Sequence, residues 1–368
     1  MGMNKIIVAI TALLFTMGAW AVSCSTSSGG GSSGTPGTIS DIGSYSGNPL
    51  CEDGTAAMCA TDADYSGMIY YNGKVYLPPG GGHAATYENG MGIFDPSIDS
   101  WGYGSHRTPC ANRTSANVDA TNGKWISDSL PIPTHTYDLM AMYGTKILVA
   151  AKGQGRGDGC NNLDATPYVI FTGKFRLYDP SADTWTYTSI NAVDFTYAAE
   201  TDPVSGKVLF AASSGLWLFD GTSFTKILTT TNPGMNNSGS LIYSAAKDKF
   251  YWIGQAKKSG YNRSVWEITL DRTTPANSTV VETAAIIPDA AGFAWGIDTD
   301  NGKIYGGLNE DILTVFDPAD YSVQTITLTA TYCTHMNSHG FGFPYVSGYG
   351  FVGRVAYAAC HHTIRYVP

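Results

Sequence analysis

Beyond residue 23 the apolar residues of this chain come in short runs that end at turn residues. Gly92-Ile-Phe94, Phe175-Arg-Leu-Tyr178, Leu216-Trp-Leu-Phe219 and Leu313-Thr-Val-Phe316 are examples. No stretch of about ten residues in this part carries apolar residues at helical spacing, so the runs read as strands. Each of these four is followed directly by aspartate. The fullest copies are Asp95-Pro-Ser-Ile-Asp-Ser-Trp101 and Asp179-Pro-Ser-Ala-Asp-Thr-Trp185. Asp317-Pro-Ala-Asp-Tyr-Ser-Val323 is a weaker one, and Asp220-Gly-Thr-Ser-Phe224 a reduced one. Asp-Pro opens a turn, because proline presets φ and the aspartate side chain caps the backbone. The tryptophan then starts the next strand and is expected to pack between sheets.

A second pattern interleaves with the first. A turn with lysine precedes an apolar strand at Asn72-Gly-Lys74, Gly144-Thr-Lys146, Ser205-Gly-Lys207, Lys247-Asp-Lys249 and Asn301-Gly-Lys303. Each lies between two β-rich runs, as in a hairpin. A sixth hairpin, Phe341–Val346 with Tyr349–Gly353, lacks the lysine. Hairpins recurring every 40–50 residues or so, with four strands each, specify an all-β propeller. Six blades of four antiparallel strands are expected. Seven is the alternative, because residues 39–60 could supply strands. Longer spacings reflect insertions at Arg107–Thr121 and Gly153–Pro167. The last strand, around Thr363–Val367, is expected to close the ring with N-terminal strands, which removes exposed sheet edges.

The N-terminus departs from this pattern. Lys5 precedes one apolar run, Ile6–Val22, short for a membrane span of roughly 20 residues. It reads as a signal peptide over residues 1–23. Ala19-Trp20-Ala21 suits ordinary cleavage. Ala21-Val22-Ser23-Cys24 resembles a bacterial lipobox, which would make Cys24 a lipid anchor. Residues 24–38 are rich in Ser and Gly and read as a flexible tether, with the propeller over 39–368. The seven cysteines are Cys24, Cys51, Cys59, Cys110, Cys160, Cys333 and Cys360. Setting Cys24 aside leaves an even number, enough for three disulfides in an oxidising compartment. Local proximity and the repeats favour Cys51–Cys59, Cys110–Cys160 and Cys333–Cys360. The expected location is the outer membrane or cell surface as a lipoprotein, with a plain extracellular protein carrying one free thiol as the alternative.

Composition narrows the function. With 21 Lys+Arg against 30 Asp+Glu the net charge is −9, and charged residues make up 14% of the chain, against about 25% in ordinary soluble domains. Such a chain lacks the basic footprint of a nucleic-acid binder. The 43 glycines and 23 tyrosines suit tight turns and aromatic packing between sheets.

Hairpin, strand, Asp-Pro turn and tryptophan together resemble kelch repeats, the blades of the galactose-oxidase central-domain superfamily. Gly80-Gly-Gly-His83-Ala-Ala-Thr-Tyr87-Glu-Asn89 leading into Ile93-Phe-Asp95, with His135-Thr-Tyr137 later, is similar to a group of secreted bacterial kelch-like propellers. Most of that group has no assigned activity. Thr134 stands where the group usually has arginine, which weakens any carry-over of a catalytic His-Arg site. A copper-radical oxidase would need a cysteine crosslinked to tyrosine, and the disulfides account for all six mature cysteines.

Aligning the hairpins on their lysines places His135 and His339 at one repeat position, where the innermost strand begins. Tyr65, Tyr137 and Phe341 follow two residues later. His83 ends the second strand of its blade. A polar, aromatic funnel of this kind suits a saccharide, with Tyr65, Tyr87, Asn89, Arg156 and Phe341 as ligand contacts. His83, His135, Tyr137 and His339 could act as general bases and acids on a uronate, in which case Arg107, Arg113 or Arg156 would neutralise its carboxylate. No metal and no cofactor are expected. Asp298-Thr-Asp300-Asn-Gly302 resembles part of a calcium loop but lacks the distal glutamate and coincides with a repeat turn. Three functions compete: a surface propeller that captures an extracellular glycan or surface protein, a polysaccharide lyase, and a structural assembly subunit. Contact with a membrane is expected only through the lipid.

Overall fold

The computed structural model describes residues 36–44, 67–78, 90–104, 108–109, 112, 114–132, 136–150, 155–156, 168–169, 174–191, 196–212, 214–227, 239–254, 264–288, 294–309, 312–328, 342–357 and 360–368. Its main body is six four-stranded antiparallel sheets arranged as the blades of a propeller. The first strand of the chain, β1 (Thr38–Ser44), belongs to the last blade. Blade 1 is β2 (Ile69–Tyr71), β3 (Lys74–Leu77), β4 (Gly92–Asp95) and β5 (Ser100–Tyr103). A small hairpin, β6 (Val118–Asp119) and β7 (Lys124–Trp125), follows it. Blade 2 is β8 (Met140–Tyr143), β9 (Lys146–Ala150), β12 (Lys174–Asp179) and β13 (Thr184–Asn191), interrupted by the pair β10 (Gly155–Arg156) and β11 (Tyr168–Val169). Both added pairs fall at or beside the insertions expected from the repeat spacing.

Blade 3 is β14 (Thr196–Thr201), β15 (Val208–Ala212), β16 (Gly215–Phe219) and β17 (Phe224–Lys226). Blade 4 is β18 (Ser240–Ser244), β19 (Lys249–Ile253), β20 (Ser264–Thr269) and β21 (Thr279–Ile286). Blade 5 is β22 (Trp295–Ile297), β23 (Ile304–Asn309), β24 (Ile312–Phe316) and β25 (Val323–Thr327). Blade 6 takes β26 (Tyr345–Val346), β27 (Gly350–Tyr357) and β28 (Cys360–Val367) from the C-terminus. Its outer strand is β1, with Thr38 opposite Val367 and Ile39 opposite Tyr366. The ring is therefore closed by the two ends of the chain, as expected. Among the described residues there is no seventh blade: residues 38–44 complete the sixth.

Six hydrophobic clusters correspond to the six seams between neighbouring blades. Alternate residues of one strand serve opposite seams. Val75 and Leu77 pack toward blade 6, while Tyr76 between them packs toward blade 2. Phe250 and Trp252 face blade 3, and Tyr251 and Ile253 face blade 5. Both faces of the second strand are thus covered, which is why Val208–Ala212 is apolar throughout. Outer strands alternate instead, as in β13, because one side meets water. Fully burying a side chain such as Phe210 contributes roughly 1.5–3 kcal/mol, repeated around the ring.

The two repeat patterns meet in space. The hairpin lysine opens the second strand and the turn aspartate closes the third, so the register sets Lys74 beside Asp95, Lys146 beside Asp179 and Lys303 beside Asp317. Each pair forms an ion pair. In blade 4 Lys249 pairs instead with Glu267. The aspartates also organise the turn itself: Asp179 accepts from the Ser181 and Ala182 N–H groups at 3.0 and 3.2 Å. Asp271 does the same for Thr273 and Thr274. This is a fifth copy that the sequence pattern missed, because arginine follows the aspartate and no tryptophan comes after. Trp101 and Trp185 lie across from Phe94 and Tyr178, with ring centroids 5.3 and 5.0 Å apart.

Blade 6 lacks the lysine for a steric reason. Gly350 holds φ +114°, and a Cβ there would sit 2.4 Å from the Tyr366 carbonyl oxygen, so only glycine fits. Asp298 accepts from the Asp300 and Asn301 N–H groups, and Asp300 accepts from Tyr345 at 2.7 Å and from Ser347 of the next blade. The calcium-like run is a structural turn, as expected. Among the described residues no helix is long and apolar enough to cross a membrane.

Candidate functional site

Chain direction decides which connections share an end of the propeller. The innermost strands β2, β8, β14, β18, β22 and β26 run parallel to one another, as the parallel bridges Asp138–Ala198 and Trp295–Gly342 between neighbouring blades require. Strands within each blade alternate in direction. The first-to-second and third-to-fourth turns therefore leave the strands at one end. The second-to-third and blade-to-blade connections leave them at the other. His83, Tyr87 and Asn89 belong to the connection between β3 and β4. Arg156 is in β10, between β9 and β12. His135 and Tyr137 lead into β8, His339 and Phe341 lead into β26, and Tyr65 leads into β2. The described ones among the sequence-predicted site residues, Tyr137 and Arg156, thus lie in connections of the same end.

Of these, Tyr137 is fully described. It is half-buried and holds φ +44°, a left-handed conformation that costs a non-glycine residue of order 1–3 kcal/mol and tends to mark functional or constrained positions. Its neighbour Thr136 is fully buried, and the Thr136 hydroxyl has no hydrogen-bond partner among the described residues. Arg156 is described as a strand residue and Cys360 likewise in β28. His83, His135, His339, Tyr65, Tyr87, Asn89, Phe341, Cys24 and the other five cysteines lie outside the described residues. His135 and His339 each precede by three residues a position, Asp138 or Gly342, at which an innermost strand bridges its neighbour. Gly342 is needed there, since a Cβ would meet the Met68 backbone nitrogen at 2.1 Å.

Directly after Tyr137 comes a group that the sequence did not single out. Asp138 extends from blade 2 across the start of blade 3: its carbonyl accepts from the Ala199 N–H at 2.8 Å. Its carboxyl reaches blade 4, where Leu241 N–H donates to Oδ2 at 3.3 Å and Ser240 bonds through its side chain. Glu200, on β14, accepts from the Tyr243 N–H and from its neighbour Thr201 N–H, the latter at 2.7 Å. Leu241 and Tyr243 are two residues apart on β18, so both N–H groups point to the same edge. β18 begins its sheet, leaving its inner edge without a strand neighbour. The two carboxyls satisfy backbone donors that have no partner strand there.

Burial dominates the electrostatics of this pair. It pushes Asp138 well above the usual carboxylate range, and the nearby Glu200 charge adds to this against the pull of the Leu241 and Ser240 donors. Burial likewise pushes Glu200 up to about 7. The innermost strands carry no lysine or arginine to offset these charges. The inner wall can therefore hold a proton near neutral pH. Among the described residues no three His, Cys, Asp or Glu side chains group as metal ligands would.

The insertion after blade 1 docks against the two outer strands of blade 2. Trp125 and Ile132 form its own small core. Arg176 of β12, fully buried and lowered to about 10 by that burial, donates to the Ile132 carbonyl at 2.9 Å. Tyr187 donates to the Ser129 carbonyl at 2.8 Å.

No family model matches the chain, and no curated protein does. Solved structures do. A structural-genomics protein of unknown function from Bacteroides thetaiotaomicron aligns with TM-score 0.53 at 14% identity, over 89% of this chain and 75% of that one. YjhT aligns with TM-score 0.53 at 11% identity, over 82% and 94%. An auxiliary nutrient binding protein from Bacteroides ovatus aligns with TM-score 0.47 at 11% identity, over 83% and 69%. At these identities the likeness to the first two is one of fold alone.

Proposed function

We propose that this chain is an exported, lipid-anchored, kelch-like propeller that captures an extracellular glycan at the end where its innermost strands begin. The observation that carries the reading is Tyr137, held in a strained backbone conformation beside the buried Thr136 hydroxyl at that end. The signal peptide over 1–23, the Cys24 lipobox and the tether over 24–38 support the address. The absence of Lys and Arg from the innermost strands favours a neutral glycan over a uronate, and binding over elimination.

A panel of soluble neutral and polyanionic glycans tests this by calorimetry, with absorbance of the unsaturated product monitored in parallel. Binding of a neutral member without product is expected. Product from a polyanionic member would replace the reading with the lyase. Mass spectrometry of the mature N-terminus tests the address: a diacylated Cys24 is expected, and an unmodified Val22 start contradicts it.

A further inference from the structure

The Asp138–Glu200 pair stands apart from the glycan reading and concerns how the ring is held together. Three blades meet at these two side chains. Asp138 belongs to blade 2, bridges through its backbone to blade 3 and places its carboxyl on Leu241 of blade 4. Glu200 belongs to blade 3 and takes the next inward-facing donor, Tyr243. At the seam between blades 5 and 6 the inner strands meet through a backbone bridge, Trp295–Gly342. At blade 4 the free edge is held by two carboxyls.

We propose that Asp138 and Glu200 form a proton-operated clasp: a proton retained by the pair lets both carboxyls stay together on the inner edge of blade 4, and its loss loosens that edge from blades 2 and 3. Two like charges in one poorly solvated place repel, so the fully ionised pair is the unfavourable state. Among the described residues the groups that face the pair are few. Glu200 is the charge acting on Asp138, and β18 contributes only the Ser240 hydroxyl and the backbone N–H groups of Leu241 and Tyr243. The β14 side contributes the Thr201 N–H. His135, three residues before Asp138, lies outside the described residues and is a further titratable group to control. The clasp would stiffen the seam in acid and relax it in mildly alkaline surroundings.

Hydrogen exchange of the β18 segment, residues 240–244, corrected for the intrinsic pH dependence of exchange, reads the clasp directly. In the full mature chain, protection is expected to fall about tenfold between pH 6 and 8, equivalent to about 1.4 kcal/mol. Glu200→Gln keeps a carbonyl acceptor for Tyr243 and removes the titration, so its protection should change by less than about twofold. His135→Gln should retain the wild-type response. A flat wild-type profile, or an equal fall in Glu200→Gln, overturns the proposal. Should Glu200→Gln not fold, carbon NMR of labelled glutamate carboxyls in the wild-type chain decides: one glutamate titrating near pH 7 supports the clasp, and all titrating near their ordinary range overturns it.

Discussion

The hairpin-turn end and the inner wall of this propeller treat the same chemical group in opposite ways. At the turn end carboxylates are surrounded by donors. Lys74 and Ser97 hold Asp95 below its ordinary range, and Arg272 and Tyr243 do the same for Asp248. Burial raises Asp202, but Arg272 and Ser205 more than offset it and the net shift is downward. At the inner wall Asp138 and Glu200 receive only neutral donors, and burial moves both up. The contrast teaches that a charge in the repeat itself is there to fix a turn. A charge outside the repeat, and without a counter-ion, is where function or regulation is to be sought.

The largest expected effect tests the structural half of this contrast. Asp202 is fully buried, orders its own turn through Val204, Ser205 and Gly206 contacts, and ties blade 3 to Arg272 of blade 4. Arg272 keeps a second partner in Asp248. Asp202→Ala should lower stability by about 2–3 kcal/mol in urea unfolding at pH 7. A loss under about 0.5 kcal/mol would mean that the turn-end network is ornamental.

The pH dependence of stability separates the two regions next. Lowered turn-end carboxylates contribute stability above about pH 4, which disappears as pH falls through their folded values. The raised inner pair works in the other direction. Its contribution is full below about pH 4 and is lost as pH rises through about 7 for Glu200, because the folded state binds more protons than the unfolded one in that window. Stability should therefore peak in mild acid and decline by about 1–3 kcal/mol toward pH 8. A maximum at pH 8 would reverse the assignment. The smallest effect belongs to an exposed repeat pair: Lys303→Ala, which removes the 3.4 Å contact to Asp317, should cost at most about 1 kcal/mol.

This contrast also marks how far the sequence could be read. Lys74, Asp95 and Trp101 lie within one local repeat, so their spacing announced the hairpin, the turn and the cross-strand aromatic contact together. Ring closure followed from the unpaired final strand. Asp271 escaped because the turn aspartate was recognised by its neighbours, and here those had diverged. Asp138 and Glu200 escaped for a different reason. Leu241, the donor to Asp138, is 103 residues away, and nothing local distinguishes either acid from the other carboxylates. Tyr137 was singled out for its place two residues after His135, but its positive φ leaves no trace in residue type.

The most direct test of the account compares glycan binding by paired variants of the two regions, using whichever neutral glycan the panel returns. Tyr137→Ala, at the end where the innermost strands begin, is predicted to weaken binding at least about tenfold (about 1.4 kcal/mol) with the unfolding midpoint within a few degrees of the wild type. Lys303→Ala, at the turn end, is predicted to leave affinity unchanged. Full affinity in Tyr137→Ala together with loss in Lys303→Ala would contradict the account by placing the ligand at the opposite end of the propeller.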